Sequence, residues 1–265
     1  MNTLDSFRLD GQVAVVVGGA RDLGYDIAEA LGDAGSDMVI TSRRLEAAEA
    51  AADKLRTACK VDVLPLALDH CQHEQVAAVA HEANNWKGRV HILVNNAGGS
   101  VPGRTPFLER PPESIAAAIT LNLTGPLYCC QEFGRRMGKT GGGSIINIAS
   151  IAGMVGRNRK MYHRTGLNEQ SVDYCAAKAG VIGMTMDLAA YMAPMGIRVN
   201  AISPGGFERG QPQAFIDAYS ERTPLGRMGK DGVDLKGAAL YLASAASAYV
   251  TGQNLLVDGG FVMWH

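Results

Sequence analysis

Tyr174 and Lys178 stand four positions apart, a spacing that brings two side chains together on a helix. Such side chains share one face and lie about 5–6 Å apart at Cβ. A lysine ammonium at that distance favours the phenolate and lowers the tyrosine pKa from its reference near ~10. We therefore expect a tyrosine that exchanges a proton with an alcohol or a carbonyl near neutral pH, although a solvated helix pair without function has the same spacing.

The elements that must position this pair follow from an alternation of apolar runs and helical periodicity. The run Val13–Val17 is typical of a strand buried on both faces of a parallel sheet. Further strands are predicted at Met38–Thr41, Val61–Leu68, Val90–Val94, Ser144–Ile148, Arg198–Ile202 and Asn254–Val257. The pattern predicts an α/β fold: a single-domain Rossmann-type doubly wound parallel sheet of about seven strands, with helices on both faces, over residues 1–265.

Two long helices are expected among these strands. One runs from Val172 to Met192 and carries the tyrosine and the lysine. The other runs from Glu113 to Met137, with an irregularity near Gly125-Pro126, because proline removes a backbone donor.

Composition limits the classes of function. The chain has 265 residues, 47% hydrophobic and 19% charged, which suits one large globular domain. A formal net charge of −1 gives no electrostatic case for nucleic acid or a membrane surface. No apolar run approaches the ~20 residues of a membrane helix, and residues 1–11 lack the apolar core of a signal peptide. The five scattered cysteines favour reduced thiols in a cytoplasmic protein and no metal site.

A glycine-rich turn, Gly18-Gly19-Ala20-Arg21-Asp22-Leu23-Gly24, follows the first strand and opens a helix. Backbone N–H groups and the helix dipole favour a pyrophosphate at such a place, and glycine lets the backbone approach it. The turn therefore predicts a dinucleotide site, with a plain glycine turn as the alternative.

Taken together, these stretches resemble the classical short-chain dehydrogenase/reductase family. Its first-turn fingerprint, Thr-Gly-x-x-x-Gly-x-Gly, is present with two departures: Val17 replaces the threonine and Asp22 replaces the middle glycine. Asp tolerates a positive φ better than most residues, so we expect the turn to survive. A carboxylate there weakens pyrophosphate binding unless it points away or meets Arg21.

The resemblance extends along the whole chain. It implies a catalytic set of Asn122, Ser150, Tyr174 and Lys178. Matching cofactor-binding positions are Gly18, Arg21, Asp22, Leu23, Gly24, Asn96, Ala97, Gly98, Tyr174, Lys178, Pro204 and Gly205. C-terminal motifs of the family match Val250-Thr251-Gly252-Gln253 and Val257-Asp258-Gly259-Gly260.

The end of the second strand bears on the choice of nicotinamide. An acidic residue there would bind the ribose hydroxyls of NAD, but the chain has no carboxylate before Glu46. Arg43 suits a 2′-phosphate, Ser42 can donate to it, and Arg21 can approach it from the other side. We expect NADP(H) rather than NAD(H), with solvated arginines as the alternative. Asp69 matches an acidic residue near the adenine in the family, or is a helix N-cap.

The family mechanism gives each catalytic position a role. Tyr174 would be the general acid in reduction and the general base in oxidation, and Lys178 would lower its pKa and bind the nicotinamide ribose. Ser150 would polarise the substrate oxygen, and Asn122 would hold a water that links Lys178 to solvent. The alternative roles are a strand-end hydroxyl for Ser150 and a helix-kink residue for Asn122. The cofactor supplies the hydride, so the resemblance implies an enzyme that interconverts a carbonyl and a secondary alcohol.

The chain departs from the family between Ser150 and Tyr174, which lie 24 positions apart, where the family has little more than half as many. The excess, residues 157–168, is basic and has no acid. We expect the variable segment 156–170 to help bind an anionic or highly hydroxylated substrate, through Arg157, Arg159 and Arg164. A solvated loop or a subunit contact is the alternative. Tyr162 has glycine rather than lysine four positions later, so we do not expect it to be the catalytic tyrosine.

A second variable segment, residues 206–224, is expected to be a mobile substrate lid. Arg209 stands near the place of a family threonine, and with Glu208 it is a candidate substrate contact or one half of a local ion pair.

Three functions remain open from the sequence. The first is an NADP(H)-dependent reductase of a sugar, polyol or sugar acid, similar to gluconate 5-dehydrogenase-like members of the family. The second is a 3-oxoacyl-thioester reductase acting on acyl carrier protein or coenzyme A. The third is a non-catalytic NADP-sensing protein, which the intact catalytic set disfavours. The resemblance also implies a homotetramer, or a dimer, built on the two long helices and the apolar C-terminal segment.

Overall fold

The computed structural model describes residues 2–101, 105–167 and 171–264. The end of the first variable segment, residues 168–170, lies outside these ranges. Nine strands are present in the described part of the chain: β1 Val13–Val17, β2 Asp37–Ser42, β3 Val63–Ala67, β4 Ile92–Asn95, β5 Gly143–Ile148, β6 Ile197–Pro204, β7 Phe207–Glu208, β8 Gly229–Lys230 and β9 Asn254–Val257.

Seven of these strands form one parallel sheet in the order β3-β2-β1-β4-β5-β6-β9. The strand order reverses between β1 and β4. In open α/β sheets a ligand binds outside the carboxyl ends of the strands at such a point. The short strands β7 and β8 pair separately, beyond the carboxyl end of β6.

The helices described are α1 Asp22–Asp33, α2 Leu45–Cys59, α3 His73–Trp86, α4 Pro112–Ile119, α5 Gly125–Met137, α6 Arg159–Arg164, α7 Val172–Met192, α8 Gln213–Ser220 and α9 Lys236–Ala243. Short 3₁₀ turns join several of them. No helix in the described part of the chain is both long enough and apolar enough to cross a membrane.

Both faces of the sheet are covered, as the apolar run of β1 predicts. Ala14 and Val16 pack on one face with α1, α2 and α9. Val13, Val15 and Val17 pack on the other face with α3, α5 and α7. All five side chains of β1 are buried, which explains why the strand has no polar alternation. The predicted fold class is confirmed.

The long helix breaks earlier than we expected. The predicted irregularity near Gly125-Pro126 is a π-helical turn over Thr120–Thr124, between α4 and α5. Pro126 has no N–H for the carbonyl of Asn122, and the ladder is already widened before it, because Gly125 N–H bonds to the Thr120 carbonyl. The turn therefore accommodates the proline upstream of its ring.

The first variable segment is more regular than a solvated loop. It contains the helix α6, whose N-cap is Asn158: its Oδ1 accepts the N–H of Met161 at 3.2 Å. Met161 is buried against α8, so tertiary packing stabilises a helix of six residues that is too short to be stable alone.

Candidate active site

Lys178 lies buried under Tyr174 on α7. Its Nζ donates to the carbonyl of Ile148 at 2.7 Å, at the carboxyl end of β5, and lies 5.8 Å from the Tyr174 ring centroid. The residue is 4% exposed, and burial lowers the pKa of Lys178 to about 8. The helix thus presents the tyrosine–lysine pair to the end of the sheet, as the spacing predicts.

Ser150 follows β5 and completes this arrangement. Its Oγ accepts the N–H of Ala152 at 3.1 Å and so caps a 3₁₀ turn, Ile151–Gly153, that packs on α7. The hydroxyl faces the Tyr174 phenol closely enough to lower the pKa of that phenol. Ser150 and Tyr174 are therefore brought together from positions that are 24 residues apart.

The pKa of Tyr174 does not behave as the spacing with Lys178 suggests. Burial raises it above its ordinary value, and the groups that oppose this rise are Ser150 and Arg157. The net shift is therefore upward, against the lowering that the spacing predicts. The physical reason is that burial of the phenol outweighs the groups that favour its phenolate.

Asn122 sits in the π-helical turn and is fully buried. Its Oδ1 accepts the N–H of Gly99 at 2.8 Å, and its Nδ2 donates to the carbonyls of Gly99 and Ala118 at 2.9 and 3.0 Å. A Cβ on Gly98 would lie 2.8 Å from Asn122 Oδ1 and 3.6 Å from Lys178 Nζ. The absence of a side chain at Gly98 therefore makes room for Asn122 and Lys178 at the carboxyl end of β4.

The glycine-rich turn is tightly packed against the end of β4. Asn96 Nδ2 donates to the carbonyl of Gly18 at 2.9 Å. A Cβ on Gly24 would lie 2.1 Å from that carbonyl oxygen, and one on Gly18 would lie 2.9 Å from Ala97 Cα. The backbone therefore comes closer here than any other residue type permits, which fits a turn that holds a pyrophosphate.

Asp22 takes the position of the missing glycine with a φ of 53°, and α1 begins at this residue. Its carboxylate lies 3.2 Å from Arg21 Nη1, and both side chains are well exposed. No described side chain caps the N-terminus of α1, while Leu23 packs into the core. The carboxylate thus meets Arg21, the arrangement that leaves the turn compatible with an anion.

Farther along the carboxyl edge of the sheet, Ser42 ends β2 and Arg43 follows it. Asp69 comes after β3. Arg43 is exposed, and its charge reaches His70 and Cys71. Asp69 Oδ1 accepts the N–H of Cys71 at 3.0 Å, in a turn that precedes α3. Because α3 has Gln72 as its N-cap, the alternative interpretation of Asp69 as that cap is wrong.

Pro204 ends β6, and Gly205 follows it, next to the predicted lid segment. Gly205 N–H donates to the carbonyl of Val257 at 3.0 Å. Gly206 N–H donates to the Tyr219 hydroxyl of α8 at 2.6 Å. The turn after β6 is therefore joined directly to the predicted lid segment.

The four arginines predicted to contact substrate lie in different environments. Arg157 lies at the site, with Cζ 5.9 Å from the Tyr174 ring centroid. Arg159 and Arg164 are exposed on α6. Arg209 Nε lies 2.7 Å from Asp231 Oδ1, an ion pair between the second variable segment and the turn after β8, rather than the pair with Glu208. Of the four, Arg157 is the one beside Tyr174.

Aromatic rings join the two variable segments. Tyr162 packs on Phe215 of α8 with centroids 5.1 Å apart, and Tyr219 stacks on Phe261 at 4.5 Å and 15°. The Tyr162 hydroxyl accepts from Arg157 Nη1 at 2.9 Å. Tyr162 thus lies at the rim of the site and positions Arg157 beside Tyr174.

Two sets of buried polar residues were not found by sequence reasoning. Arg110 forms a buried ion pair with Asp173, the residue before Tyr174. Asn147 accepts from Asn95 at 2.9 Å and donates to Thr185 of α7 at 3.0 Å, which ties β4, β5 and α7 together. The adjacency of Asp173 to Tyr174 was the available signal for the first set, but its partner, 63 residues away, depends on the fold.

Comparisons with known proteins agree with this geometry. Residues 18–262 match the model of a family described as enoyl-(acyl carrier protein) reductase. Galactitol 2-dehydrogenase (L-tagatose-forming) of Cereibacter sphaeroides is 33% identical over 97% of this chain and 98% of its own. A 3-oxoacyl-(acyl-carrier-protein) reductase of Aquifex aeolicus is 32% identical over 96% and 98%.

Among solved structures, a gluconate 5-dehydrogenase of Burkholderia cenocepacia, in complex with NADP and tartrate, superposes with a TM-score of 0.88. It is 35% identical, and the match covers 99% of both chains. The similarity therefore extends over nearly the whole length of the chain.

Proposed function

Because the chain belongs to the short-chain dehydrogenase/reductase family, we propose that it interconverts a secondary alcohol and a carbonyl with NADP(H), using Tyr174 as general acid and base. The observation that carries the proposal is the meeting of Tyr174, Ser150 and Lys178 at the carboxyl ends of the strands. The relatives compared above are named dehydrogenases and reductases that act on CH–OH groups.

In reduction, the Tyr174 hydroxyl gives its proton to the oxygen of the former carbonyl, and in oxidation the phenolate takes that proton back. The Ser150 hydroxyl donates a hydrogen bond to the same oxygen as negative charge develops on it. Lys178 and Asn122 both lie next to Gly98, on the inner side of the site. From there Lys178 returns the proton to Tyr174. When bound, the dinucleotide supplies or accepts the hydride.

The residues present fit such a dinucleotide. The close packing at Gly18 and Gly24 leaves backbone N–H groups at the start of α1 as the pyrophosphate site. NADP(H) is proposed over NAD(H) because Arg43 and Arg21 are exposed cations near the end of β2, where no carboxylate precedes Glu46. The gluconate 5-dehydrogenase named above is a complex with NADP, which supports the same choice.

The substrate class we propose is a sugar, a polyol or a sugar acid. Galactitol 2-dehydrogenase is a relative of this class by name, and so is the gluconate enzyme. Arg157 beside Tyr174 provides a cation for an anionic or oxygen-rich substrate. The similarity to a 3-oxoacyl-(acyl-carrier-protein) reductase supports 3-oxoacyl thioesters as the second candidate class.

The test is an activity screen of polyols, aldonic acids, keto-sugar acids and 3-oxoacyl thioesters, with NADP(H) and NAD(H) compared for each. We expect turnover of a polyhydroxylated substrate with NADP(H). A Tyr174→Phe variant should keep cofactor binding and lose turnover. Tight NADP binding with no turnover of any of these compounds would favour the NADP-sensing alternative.

We also propose a homotetramer in the cytoplasm. Exposed apolar side chains at the end of α7 and at the C-terminus support an assembly through these two surfaces; they are Met186, Tyr191, Met195, Leu256, Met263 and Trp264. The five cysteines are free thiols, which is typical of a reducing compartment. Light scattering coupled to size-exclusion chromatography measures the assembly directly.

A further inference from the structure

Arg157 comes from the basic stretch between Ser150 and Tyr174, and its side chain lies beside the Tyr174 ring. Its Cζ lies 5.9 Å from the Tyr174 ring centroid and 5.8 Å from the Tyr162 ring centroid. Nη1 donates to the Tyr162 hydroxyl at 2.9 Å, and the guanidinium also faces the thiol of Cys175. The guanidinium is therefore held between two tyrosine rings.

The Tyr162 side chain is itself held in place. Its hydrogen bond to Arg157 therefore also fixes the position of the guanidinium. Its ring packs on Phe215 of α8, and the neighbouring Met161 is buried in the same cluster. Thr165 closes the end of α6 by donating its hydroxyl to the Met161 and Tyr162 carbonyls at 2.9 and 3.0 Å. The helix α6 thus holds Tyr162 in position for its contact with Arg157.

Lys178 alone cannot supply a cation to Tyr174 at every pH. It is buried, and its Nζ donates to the Ile148 carbonyl. A guanidinium, by contrast, stays protonated throughout the range in which enzymes work. Above about pH 8, Arg157 is therefore the cation beside Tyr174 that keeps its charge.

We propose that Arg157 is a positioning residue for Tyr174: mounted on Tyr162, its guanidinium stabilises the phenolate that the reaction uses. The inference rests on the proposed function, because it assumes that Tyr174 exchanges the proton. It assigns a purpose to the first variable segment, which brings a second cation to Tyr174.

Other groups around Tyr174 also affect the stability of its phenolate, and most of them disfavour it. Burial disfavours the phenolate, and so do the thiol of Cys175 and the phenol of Tyr162. Ser150, at the end of β5, favours it. Asp173, on the same helix, is neutralised by Arg110. Arg157 is the cation beside the Tyr174 ring whose charge does not change with pH in the working range.

The direct test measures the titration of Tyr174 in the cofactor-free protein. Protein carrying ¹³Cζ-tyrosine is titrated by NMR, and the Tyr174 signal is assigned by its loss in Tyr174→Phe. We expect Arg157→Gln to raise the pKa of Tyr174 by about two pH units, since a unit charge about 6 Å from the ring centre acts on it at an effective dielectric constant near 20. Arg157→Lys should restore most of the wild-type value.

Two matched variants separate this role from others. Lys160→Gln removes a charge from the exposed face of α6 and should leave the Tyr174 titration unchanged. Tyr162→Phe keeps the ring contact with Phe215 but removes the hydroxyl that orients Arg157, and should shift the titration part of the way. An unchanged Tyr174 titration in a folded Arg157→Gln protein would overturn the proposal.

Kinetics give a second, separable readout. With the best substrate of the screen, the pH midpoint of oxidation should move up by the same amount in Arg157→Gln. A rise in KM without a shift of the midpoint would give Arg157 a substrate-binding role alone and contradict the proposal. If Tyr174→Phe retained full turnover, the proposed function would fail, whatever the NMR titration of Arg157→Gln showed.

Discussion

Arg110 and Asp173 form an ion pair that is closed to solvent on both sides, each side chain being 1% exposed. The other oxygen of Asp173, Oδ1, accepts the N–H of Tyr174 at 2.9 Å. The pair therefore joins the segment before α4 to the first turn of α7. It anchors the start of the helix that carries Tyr174.

Breaking this pair from one side should destabilise the protein strongly. Arg110→Met leaves a buried carboxylate without its counter-charge, so we expect the free energy of unfolding to fall by about 3–5 kcal/mol. Urea unfolding followed by circular dichroism measures the change. Arg8→Met, which breaks an exposed pair with Asp10, is the control and should leave the unfolding midpoint unchanged. Recovery in the double variant Arg110→Met/Asp173→Leu would identify the unpaired charge as the cause, and a loss below about 1 kcal/mol in Arg110→Met would contradict it.

The burial of Lys178 predicts a trade between activity and stability. Burial lowers its pKa from 10.5 to about 8, so between these values the unfolded chain binds more protons and the free energy of unfolding rises with pH. Lys178→Met should therefore be inactive yet more stable than wild type at pH 7, by roughly 2–3 kcal/mol.

The advantage of Lys178→Met should shrink as the pH rises from 8 to 10.5. Urea unfolding of both proteins at each pH measures the difference. The exposed Lys54→Met serves as control, with a difference that does not depend on pH. A constant difference for Lys178→Met would mean that Lys178 titrates normally when folded.

Arg43 should decide the choice of cofactor. A guanidinium–phosphate contact is a charge-assisted bond of about 1.5–3 kcal/mol, so Arg43→Ala should raise the Kd for NADP by about ten- to a hundredfold. The Kd for NAD should stay the same. Fluorescence titration measures both constants, and the exposed neighbour Arg44→Ala is the matched control. Equal losses for the two cofactors would argue against a 2′-phosphate contact.

Asp22 provides a test of the unusual first turn. Its φ of 53° is left-handed, and its carboxylate, paired with Arg21, adds a negative charge at the first residue of α1, the helix end proposed for the pyrophosphate. Asp22→Gly should remove both penalties: NADP should bind several-fold more tightly, and the protein should gain up to about 1 kcal/mol of stability. Asp22→Ala removes the carboxylate but keeps the side-chain penalty at positive φ, so it should gain affinity without stability. Weaker NADP binding by both variants would show that the carboxylate holds the turn together.

Much of the fold was predictable because the apolar pattern is strong. Val13–Val17, Val172–Met192 and Asn254–Val257 have the predicted bounds, and the first of them is buried along its whole length. The helix α6 was not predictable. It is short and polar, and its stability comes from the cap at Asn158 and from the packing of Met161 on α8.

The site shows the same division. Parallel strands bring their carboxyl ends to one edge, so the proximity of Ser150, Tyr174 and Lys178 follows from the order of the elements. The direction of the Tyr174 pKa does not, because it depends on burial and on Arg157, whose side chain could equally have faced solvent. Long-range charge pairs such as Arg110–Asp173 depend on which segments the fold makes adjacent.

The ring contacts from Tyr162 through Phe215 and Tyr219 to Phe261 also have a kinetic consequence. An outward movement of α8 must separate at least one of these ring pairs, and each aromatic side chain buries about 150–250 Å². For a lid at this place we therefore predict an activation enthalpy of opening set by ring packing, and an exchange rate that rises steeply on warming. We expect the separation of one aromatic pair, more than the chain entropy of the loop, to limit the passage of substrate and product.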